Sequence, residues 1–184
     1  MKPLINLCIL VTIISLTLLY SFYQKQHLSY LETPTKEYIL ERLPSFNAVD
    51  VFKNEKISTE LLQSKKYPGL VVHFWGTWCA PCEAELPTFI AFAAKLKHKG
   101  VKFILLAVND KVAKIKKFFT KHKITIPNNV MIALDNSTKS MPIFGTAKVP
   151  ETYLFDSNLN LVKKYTGPQE WIKPSYMNEF VSHL

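Results

Sequence analysis

The sequence predicts a mixed α/β domain of three layers, preceded by an N-terminal segment that spans a membrane. Three observations predict this architecture: short apolar runs typical of buried strands, amphipathic stretches with helical spacing between them, and a pair of strands near the C-terminus. The 184 residues, 48% of them hydrophobic, suffice for one domain with a substantial core and a short appendage.

An uncharged segment rich in Leu, Ile and Val covers residues 4–23. It is long enough to cross a bilayer and ends in large side chains, so we expect an uncleaved signal-anchor rather than a cleaved signal peptide. Residues 1–3 would then be a cytoplasmic tail and residues 24–44 a polar tether, with a short helix at 36–42. Lys2 and Lys25 give little charge bias across the segment. From the short tail and the long C-terminal domain, residues 45–184, we expect the tail inside the cell and the domain outside.

The folded domain begins with a predicted hairpin. Residues 46–52 and 55–58 flank Lys53 and Asn54 as two short strands, and residues 59–65 follow as a helical turn. Residues 70–75 form the first continuous apolar run, which is typical of a strand buried on both faces.

Helices and strands alternate through the middle of the chain. We expect a helix at 83–97, kinked by Pro87, and then a buried strand at 101–108. A third buried strand is expected at 130–134. Between these two strands lies a basic amphipathic helix at 111–121, whose inward residues are predicted to be Val112, Ile115, Phe118 and Phe119.

The C-terminal part is predicted to contain a turn or short helix at 137–145 and a hairpin of strands 151–155 and 161–165. A helix at 171–184 closes the chain. Its expected inward residues are Ile172, Tyr176, Phe180 and Val181.

The net charge of +9 is concentrated in one third of the chain. Ten lysines lie between Lys95 and Lys123, and Asp110 is the only acid among them. We expect a solvated basic face, with anionic lipid or an acidic partner as alternative contacts. Nucleic acid is not expected as a partner, because an exported domain would not meet it and no aromatic residues are interleaved with the lysines.

Two of the three cysteines, Cys79 and Cys82, stand between a predicted strand and a predicted helix. Cys8 lies in the apolar segment, where we expect it to face lipid, so no framework of structural disulfides is possible. The Cys-x-x-Cys spacing serves both zinc and redox chemistry, and the strand before it and the helix after it favour redox chemistry. No metal is expected, since none of the candidate fourth ligands has metal-ligand spacing: His73, His98, His122 and His183.

Three motifs in the same order resemble thioredoxin-fold proteins, and more closely the TlpA-like and ResA-like membrane-anchored thiol-disulfide oxidoreductases associated with cytochrome c maturation. They are Phe74-Trp-Gly-Thr-Trp-Cys-Ala-Pro-Cys82, Glu85-Leu-Pro87 and Val149-Pro-Glu-Thr-Tyr-Leu-Phe-Asp156. The resemblance implies a thioredoxin-like α/β/α domain with an N-terminal hairpin and a central βα insertion. It also implies that the domain lies outside the bacterial inner membrane.

We assign the attacking thiolate to Cys79, because the N-terminal end of a helix stabilises its negative charge. Cys82, one turn further, would resolve the mixed disulfide, and no cofactor is needed. With only Ala80 and Pro81 between the cysteines and no histidine, we expect a reducing couple. Its potential should lie nearer the thioredoxin value of about −270 mV than the DsbA value of about −120 mV.

Two ionisable side chains flank this motif. Glu85 would raise the pKa of the cysteines or relay a proton to a leaving thiolate, as an acid does at this position in the resembled family; an ordinary solvated acid is the alternative. His73 stands where thioredoxin has a buried aspartate and the resembled group usually has asparagine. It is either a core residue with one hydrogen bond or a proton relay with a pKa near 6.5.

Substrate contacts are expected at two places. The resemblance implies that Pro150 is a cis-proline beside the cysteines, which frees the backbone of Val149 to pair with an extended substrate strand. Glu151 would lie at the rim of the site and contact substrate, or have no contact. Trp78 would shield the disulfide and face the partner, whereas Trp75 is equally suited to the core.

The sequence thus predicts a membrane-anchored enzyme that reduces disulfides in proteins on the periplasmic side. The resemblance implies apocytochrome c as the favoured client and a thiol-disulfide protein of the membrane as the source of electrons. One alternative is a general periplasmic disulfide reductase or oxidant. Another is a copper-centre assembly factor, although copper-binding relatives use Cys-x-x-x-Cys and a distant histidine.

Overall fold

A computed structural model of the chain describes residues 2–31, 40–137 and 139–183. The chain divides into two compact units, residues 1–38 and 39–184. The first contains helix α1 (Lys2–Leu31), whose stretch Cys8–Lys25 is long and apolar enough to cross a membrane. The helix runs past the expected end of the span at residue 23. Residues 36–39 of the short helix expected in the tether lie outside the described residues.

Seven strands form one sheet within the described part of the second unit. In chain order they are β1 (Asn47–Asp50), β2 (Lys56–Ser58), β3 (Gly69–Trp75), β4 (Lys102–Ala107), β5 (Val130–Leu134), β6 (Glu151–Asp156) and β7 (Leu161–Thr166). Across the sheet the order is β2-β1-β5-β4-β3-β6-β7, with β3, β4 and β5 parallel and the other pairs antiparallel. Every residue of β3 and β5 is buried, as expected for strands covered on both faces.

Helices cover both faces of the sheet. They are α2 (Thr59–Ser64), α3 (Ala80–Lys95), α4 (Val112–Lys121), α5 (Ser140–Phe144) and α6 (Pro174–Ser182). On one face, Phe89, Phe118 and Phe180 of α3, α4 and α6 share a core. On the other, Leu62 of α2 and Phe144 of α5 belong to a second core. This confirms the three-layer architecture, with the β1–β2 hairpin at its start.

Two residues predicted to face the core do not. Val112 is 42% exposed and Ile172 is 59% exposed, so both predictions are wrong. Val112 is the first residue of α4, and the core is filled one turn later by Ile115. Near the C-terminus the helix begins at Pro174 rather than at residue 171, because Trp171 packs into the core from the preceding turn and Pro174 suits the first helical turn.

The described part of the second unit starts at Leu40, and its first residues, before the expected boundary at 45, contact the sheet domain. Leu40 and Leu43 are buried in the second core. The Leu43 N–H donates to the Leu159 carbonyl at 2.8 Å, and the Leu161 N–H donates to the Glu41 carbonyl at 2.8 Å. These two hydrogen bonds attach residues 41–43 to the turn between β6 and β7.

The register of β6 against β3 defines two ends of the sheet. Glu151 pairs with Phe74, near the point where β3 leads to Cys79, whereas Asp156 pairs with Gly69, the first residue of β3. Pro150 therefore lies at the end where the cysteines lie, which we call the cysteine end. The β6–β7 turn lies at the other, which we call the opposite end.

The buried side chains of α4 should provide most of the stability that this helix contributes to the domain. Replacing Ile115, which is fully buried, by Ala leaves a cavity and should lower the free energy of unfolding by about 2–5 kcal/mol. The matched change Val112→Ala on the same helix should alter it by less than about 0.5 kcal/mol. Urea unfolding of the full chain in detergent, followed by tryptophan fluorescence, measures both. Equal losses in the two variants would contradict the orientation of α4.

Candidate redox site

Cys79 and Cys82 form a disulfide, with 5.2 Å between their Cα atoms. Cys79 is the N-cap of α3, and its Sγ accepts a hydrogen bond from the Cys82 N–H at 3.3 Å. Cys79 is 5% exposed, whereas Cys82 is fully buried. Cys79 is the less buried of the two cysteines, and the Cys82 N–H and the positive end of α3 are directed at its sulfur. Both stabilise a thiolate, so Cys79 has the features of the attacking group.

The loop before Cys79 is held by Asp110, which follows β4. The Thr77 N–H donates to Asp110 Oδ2 at 2.7 Å, and the Thr77 hydroxyl donates to Oδ1 at 3.1 Å. Sequence reasoning assigned no role to Asp110. Its position in the sequence could have revealed this role. β3 and β4 are parallel neighbours and end at the same end of the sheet, so an acid just after β4 lies beside the loop that follows β3.

Trp78 covers one side of this loop. Trp78 as a whole is 55% exposed, and its Nε1–H donates to the Val108 carbonyl at 3.0 Å. A Cβ at residue 76 would come within 2.5 Å of Trp78 Nε1, so only Gly76 permits this close approach. Trp75 is buried in the core. Trp78 therefore presents an aromatic surface beside the disulfide.

The loop before β6 lies against Cys79. The Val149–Pro150 peptide bond is cis, as the resemblance implied. The carbonyl oxygen of Val149 lies 3.8 Å from Cys79 Sγ. The backbone of Val149 is therefore next to the sulfur that a substrate must reach.

The rim position expected for Glu151 is wrong. Glu151 is only 2% exposed, because it belongs to β6 and its side chain points into the protein. Its carboxylate accepts a hydrogen bond from the Tyr153 hydroxyl at 3.0 Å and lies 3.1 Å from Lys164 Nζ. Tyr153 in turn bonds to Thr146 Oγ1. Glu151 thus anchors the strand that follows Pro150.

Glu85 is buried one turn after Cys82. Its Oε1 accepts hydrogen bonds from the Trp171 indole and from the Gln169 N–H, and its Oε2 has no partner among the described residues. Burial raises the pKa of Glu85 to about 7, and the two hydrogen bonds only partly oppose this. A carboxyl group that exchanges a proton near neutral pH therefore lies on the cysteine helix, one turn after Cys82. Sequence reasoning found Glu85 but missed Trp171 and Gln169, which are distant in the chain.

His73 is a buried, uncharged residue. Its Nδ1 lies 2.8 Å from Thr152 Oγ1, and its ring stacks on Phe89 with centroids 4.2 Å apart. Burial lowers the pKa of His73 to about 3. His73 therefore does not titrate near pH 6.5, as a histidine relay would. Its contacts agree with the interpretation as a core residue.

The described residues contain no group of three or more His, Cys, Asp or Glu side chains arranged to hold a metal ion. His122 instead lies 3.0 Å from Glu83, between Nε2 and Oε1. The two sulfurs of the Cys-x-x-Cys motif are bonded to each other.

A groove of about 460 Å³ runs along the first two turns of α3 beside Glu85. Its walls come from α3 and from the segment before α6, and it exposes the apolar side chain of Ile172. The lining residues outside α3 are Pro168, Gln169, Glu170, Ile172 and Lys173.

Comparisons with known proteins agree with this geometry. A model of the AhpC/TSA family matches residues 39–165. Thiol-disulfide oxidoreductase ResA of Bacillus cereus is 31% identical over 134 residues, which cover 73% of each chain. ResA of a second Bacillus cereus strain is 28% identical over 161 residues, or 88% of this chain and 86% of the relative.

Solved structures show the same fold. A thiol:disulfide interchange protein described as DsbE, from Chlorobium tepidum, has a TM-score of 0.65 at 21% identity and covers 78% of this chain and 95% of its own. StoA from Bacillus subtilis has a TM-score of 0.58 at 23% identity, with coverage of 76% and 98%. This chain belongs to the AhpC/TSA family of thioredoxin-fold proteins and is a thiol-disulfide oxidoreductase that resembles ResA.

Proposed function

We propose that this oxidoreductase is anchored in the bacterial inner membrane by α1 and reduces disulfides of proteins outside it, with apocytochrome c as its principal client. The observation that carries the proposal is the disulfide between Cys79, the less buried of the two cysteines at the N-terminus of α3, and the fully buried Cys82. Residues 1–3 form the cytoplasmic tail, and the chain from residue 24 leads to the domain. The cytochrome assignment rests on the resemblance to the TlpA-like and ResA-like group.

The reaction transfers two electrons by two exchanges of sulfur. In the reduced protein the Cys79 thiolate attacks one sulfur of the client disulfide. An S–S bond forms between Cys79 and the client, and the second client sulfur leaves as a thiolate that takes up a proton. Cys82 then loses its proton and attacks Cys79 Sγ. This step breaks the mixed disulfide, releases the client sulfur that was bonded to Cys79 as a thiolate that takes up a proton, and leaves the Cys79–Cys82 disulfide.

The oxidised protein must then be reduced again. A membrane thiol-disulfide protein supplies the two electrons by the reverse exchange, in which its own dithiol becomes a disulfide. Client and donor therefore meet the same sulfur in turn, and both must fit the surface around Cys79.

That surface suits an extended peptide. The backbone of Val149, next to Pro150, lies within reach of a strand whose cysteine is bonded to Cys79. Trp78 offers an aromatic contact on one side of the sulfur, and the groove beside Glu85 offers an apolar one on α3. Glu151 supports this surface from within the protein and does not form part of it.

Glu85 is positioned to hold and move the proton that the exchanges require. Because its pKa lies near 7, it exists in both protonation states at neutral pH. The protonated carboxyl can supply a proton to a leaving thiolate, and the carboxylate can receive one from the Cys82 thiol.

Replacing Cys82 by Ser should trap clients, because the mixed disulfide on Cys79 can no longer be resolved. The full-length variant, expressed in the host membrane, is purified without reductant, and the attached proteins are identified by mass spectrometry. Apocytochrome c should be the main one. Cys79→Ser, the matched control, should trap far less. Equal trapping by both variants, or clients that are all unrelated to cytochromes, would contradict the proposal.

The redox potential of the full chain should lie on the reducing side. Equilibration with glutathione buffers should give a value nearer about −270 mV than about −120 mV. A potential above about −180 mV, the value of protein disulfide isomerase, would instead favour an oxidant.

Glu85→Gln should remove a pH dependence of stability that lies between about pH 4.5 and pH 7. Since the folded-state pKa of about 7 exceeds the ordinary 4.5, the contribution of Glu85 to stability is complete below about pH 4.5 and is lost as the pH rises through 7. The Gln variant should lack this slope in its free energy of unfolding. Its disulfide exchange at pH 6 should be about tenfold slower or more, because the carboxyl proton is missing.

The control for Glu85 is Glu83→Gln, a change of the same kind in the first turn of the same helix, on a side chain that is 40% exposed. It should leave both the stability slope and the exchange profile near those of the natural chain. If Glu85→Gln behaves in the same way, the assigned proton transfer is wrong.

A further inference from the structure

The opposite end of the sheet carries a cluster of positive charge. Two segments bring lysines there: the one before β3 and the 3-10 turn Lys97–Lys99 before β4. The hairpin turn after β1 also lies at this end, because β1 runs antiparallel to β5. The cluster consists of Lys53, Lys65, Lys66, Lys97, Lys99 and Lys102.

Contacts between these segments show that the lysines are neighbours in space. A Cβ at Gly100 would meet the ring of Pro68 at 3.2 Å, so the turn before β4 packs on the segment before β3. The pKa of Lys102 is lowered first by burial and then by the charges of Lys53 and Lys65, while Asp50 acts in the other direction.

Little negative charge compensates this cluster. Within the described residues none of the six lysines lies in an ion pair, and five of them are exposed. The carboxylate of Asp50 turns inward and accepts the N–H groups of Phe52 and Lys53. Asp156 is likewise used by its own turn, where it accepts from Asn158 and Asn160. The exposed acids of the flanking segments are Glu41 and Glu55.

The chain that comes from α1 enters the domain at this same end. Arg42 pairs with Asn160 in the β6–β7 turn, and its guanidinium donates to the Asn158 carbonyl at 3.1 Å. Eight residues, 32–39, separate Leu31 from Leu40. Fully extended, a segment of this length reaches about 30 Å at most.

We propose that the opposite end of the domain docks on the anionic headgroups of the membrane that holds α1. The cluster and Arg42 supply the cationic surface, and the short link keeps this surface at a high effective concentration near the bilayer. The cysteine end then faces away from the lipid, about 20 Å further out by the length of β3. This inference rests on the membrane insertion of α1 proposed above and is independent of the redox direction.

An anionic lipid surface fits these observations better than an acidic protein. The lysines come from three separate segments and spread over one end of the sheet. The groove of about 320 Å³ at this end is lined, among the six lysines, by Lys53, which stands there beside the exposed ring of Phe52. A delocalised negative surface matches such a pattern, whereas a specific protein partner is usually held by buried anchors.

The test uses the full chain in protein-free vesicles of phosphatidylcholine, with and without about one-third phosphatidylglycerol. Lysines are acetylated with an amine-reactive ester, and the rate at each lysine is read by mass spectrometry. In anionic vesicles the rates at Lys65, Lys66, Lys97 and Lys99 should fall about threefold or more, and about 0.5 M NaCl should restore them. Rates at Lys111 and Lys114, next to the cysteine loop and on α4, serve as internal controls and should not change.

Matched variants separate docking from general charge. Lys97→Gln/Lys99→Gln should abolish the protection of Lys65 and Lys66, whereas Lys111→Gln/Lys114→Gln, with the same loss of charge, should preserve it. Thermal unfolding confirms that both variants fold. Vesicle flotation reports insertion of α1 separately, so a chain that does not float would refute the anchoring and a floating chain without protection would refute the docking.

Three results would overturn the docking proposal. They are equal rates in neutral and anionic vesicles, protection at Lys111 and Lys114 instead, or protection that appears only in native membranes and not in protein-free vesicles. The last of these would assign the surface to an acidic protein.

Discussion

The transition from strand β3 to helix α3 is the constraint on which the rest of the molecule depends. β3 is buried along its whole length between β4 and β6, so its end is fixed in space. The next turn places Cys79 at the N-terminus of α3, where an N–H group and the helix dipole act on one sulfur. Asp110, Trp78 and Val149 are then each held against this point by elements that contact β3 or follow its neighbours. Reactivity at Cys79 is thus a property of the sheet as much as of the motif.

Burial gives the acids near this point different roles. Glu151 has Lys164 and Tyr153 as partners, and these fix its carboxylate as part of the framework behind Pro150. Among the described residues Glu85 has an indole and a backbone N–H as partners and no cation, and burial raises its pKa to near neutrality. The difference comes from partners contributed by other segments. It follows that one acid anchors a strand while the other can exchange a proton.

The two ends of the sheet divide the tasks of the molecule. Chemistry is confined to the cysteine end, where parallel strands end in loops, as is usual for α/β folds. The chain enters at the opposite end, where the first residues of the domain add to the β6–β7 turn. The membrane attachment proposed above would use this separation, because attachment at one end leaves the reactive sulfur open to partners at the other.

The sequence by itself determined the elements, the Cys-x-x-Cys pair and Glu85, because these follow from local periodicity and from motifs that are short in the chain. It misplaced Val112, Ile172 and Glu151, whose exposure depends on which segments cover them. Only the tertiary structure brought Trp171 and Gln169 to Glu85, Asp110 to Thr77, and lysines from three segments to one end. Burial and charge depend on contacts between residues far apart in the chain, and no local pattern records those contacts.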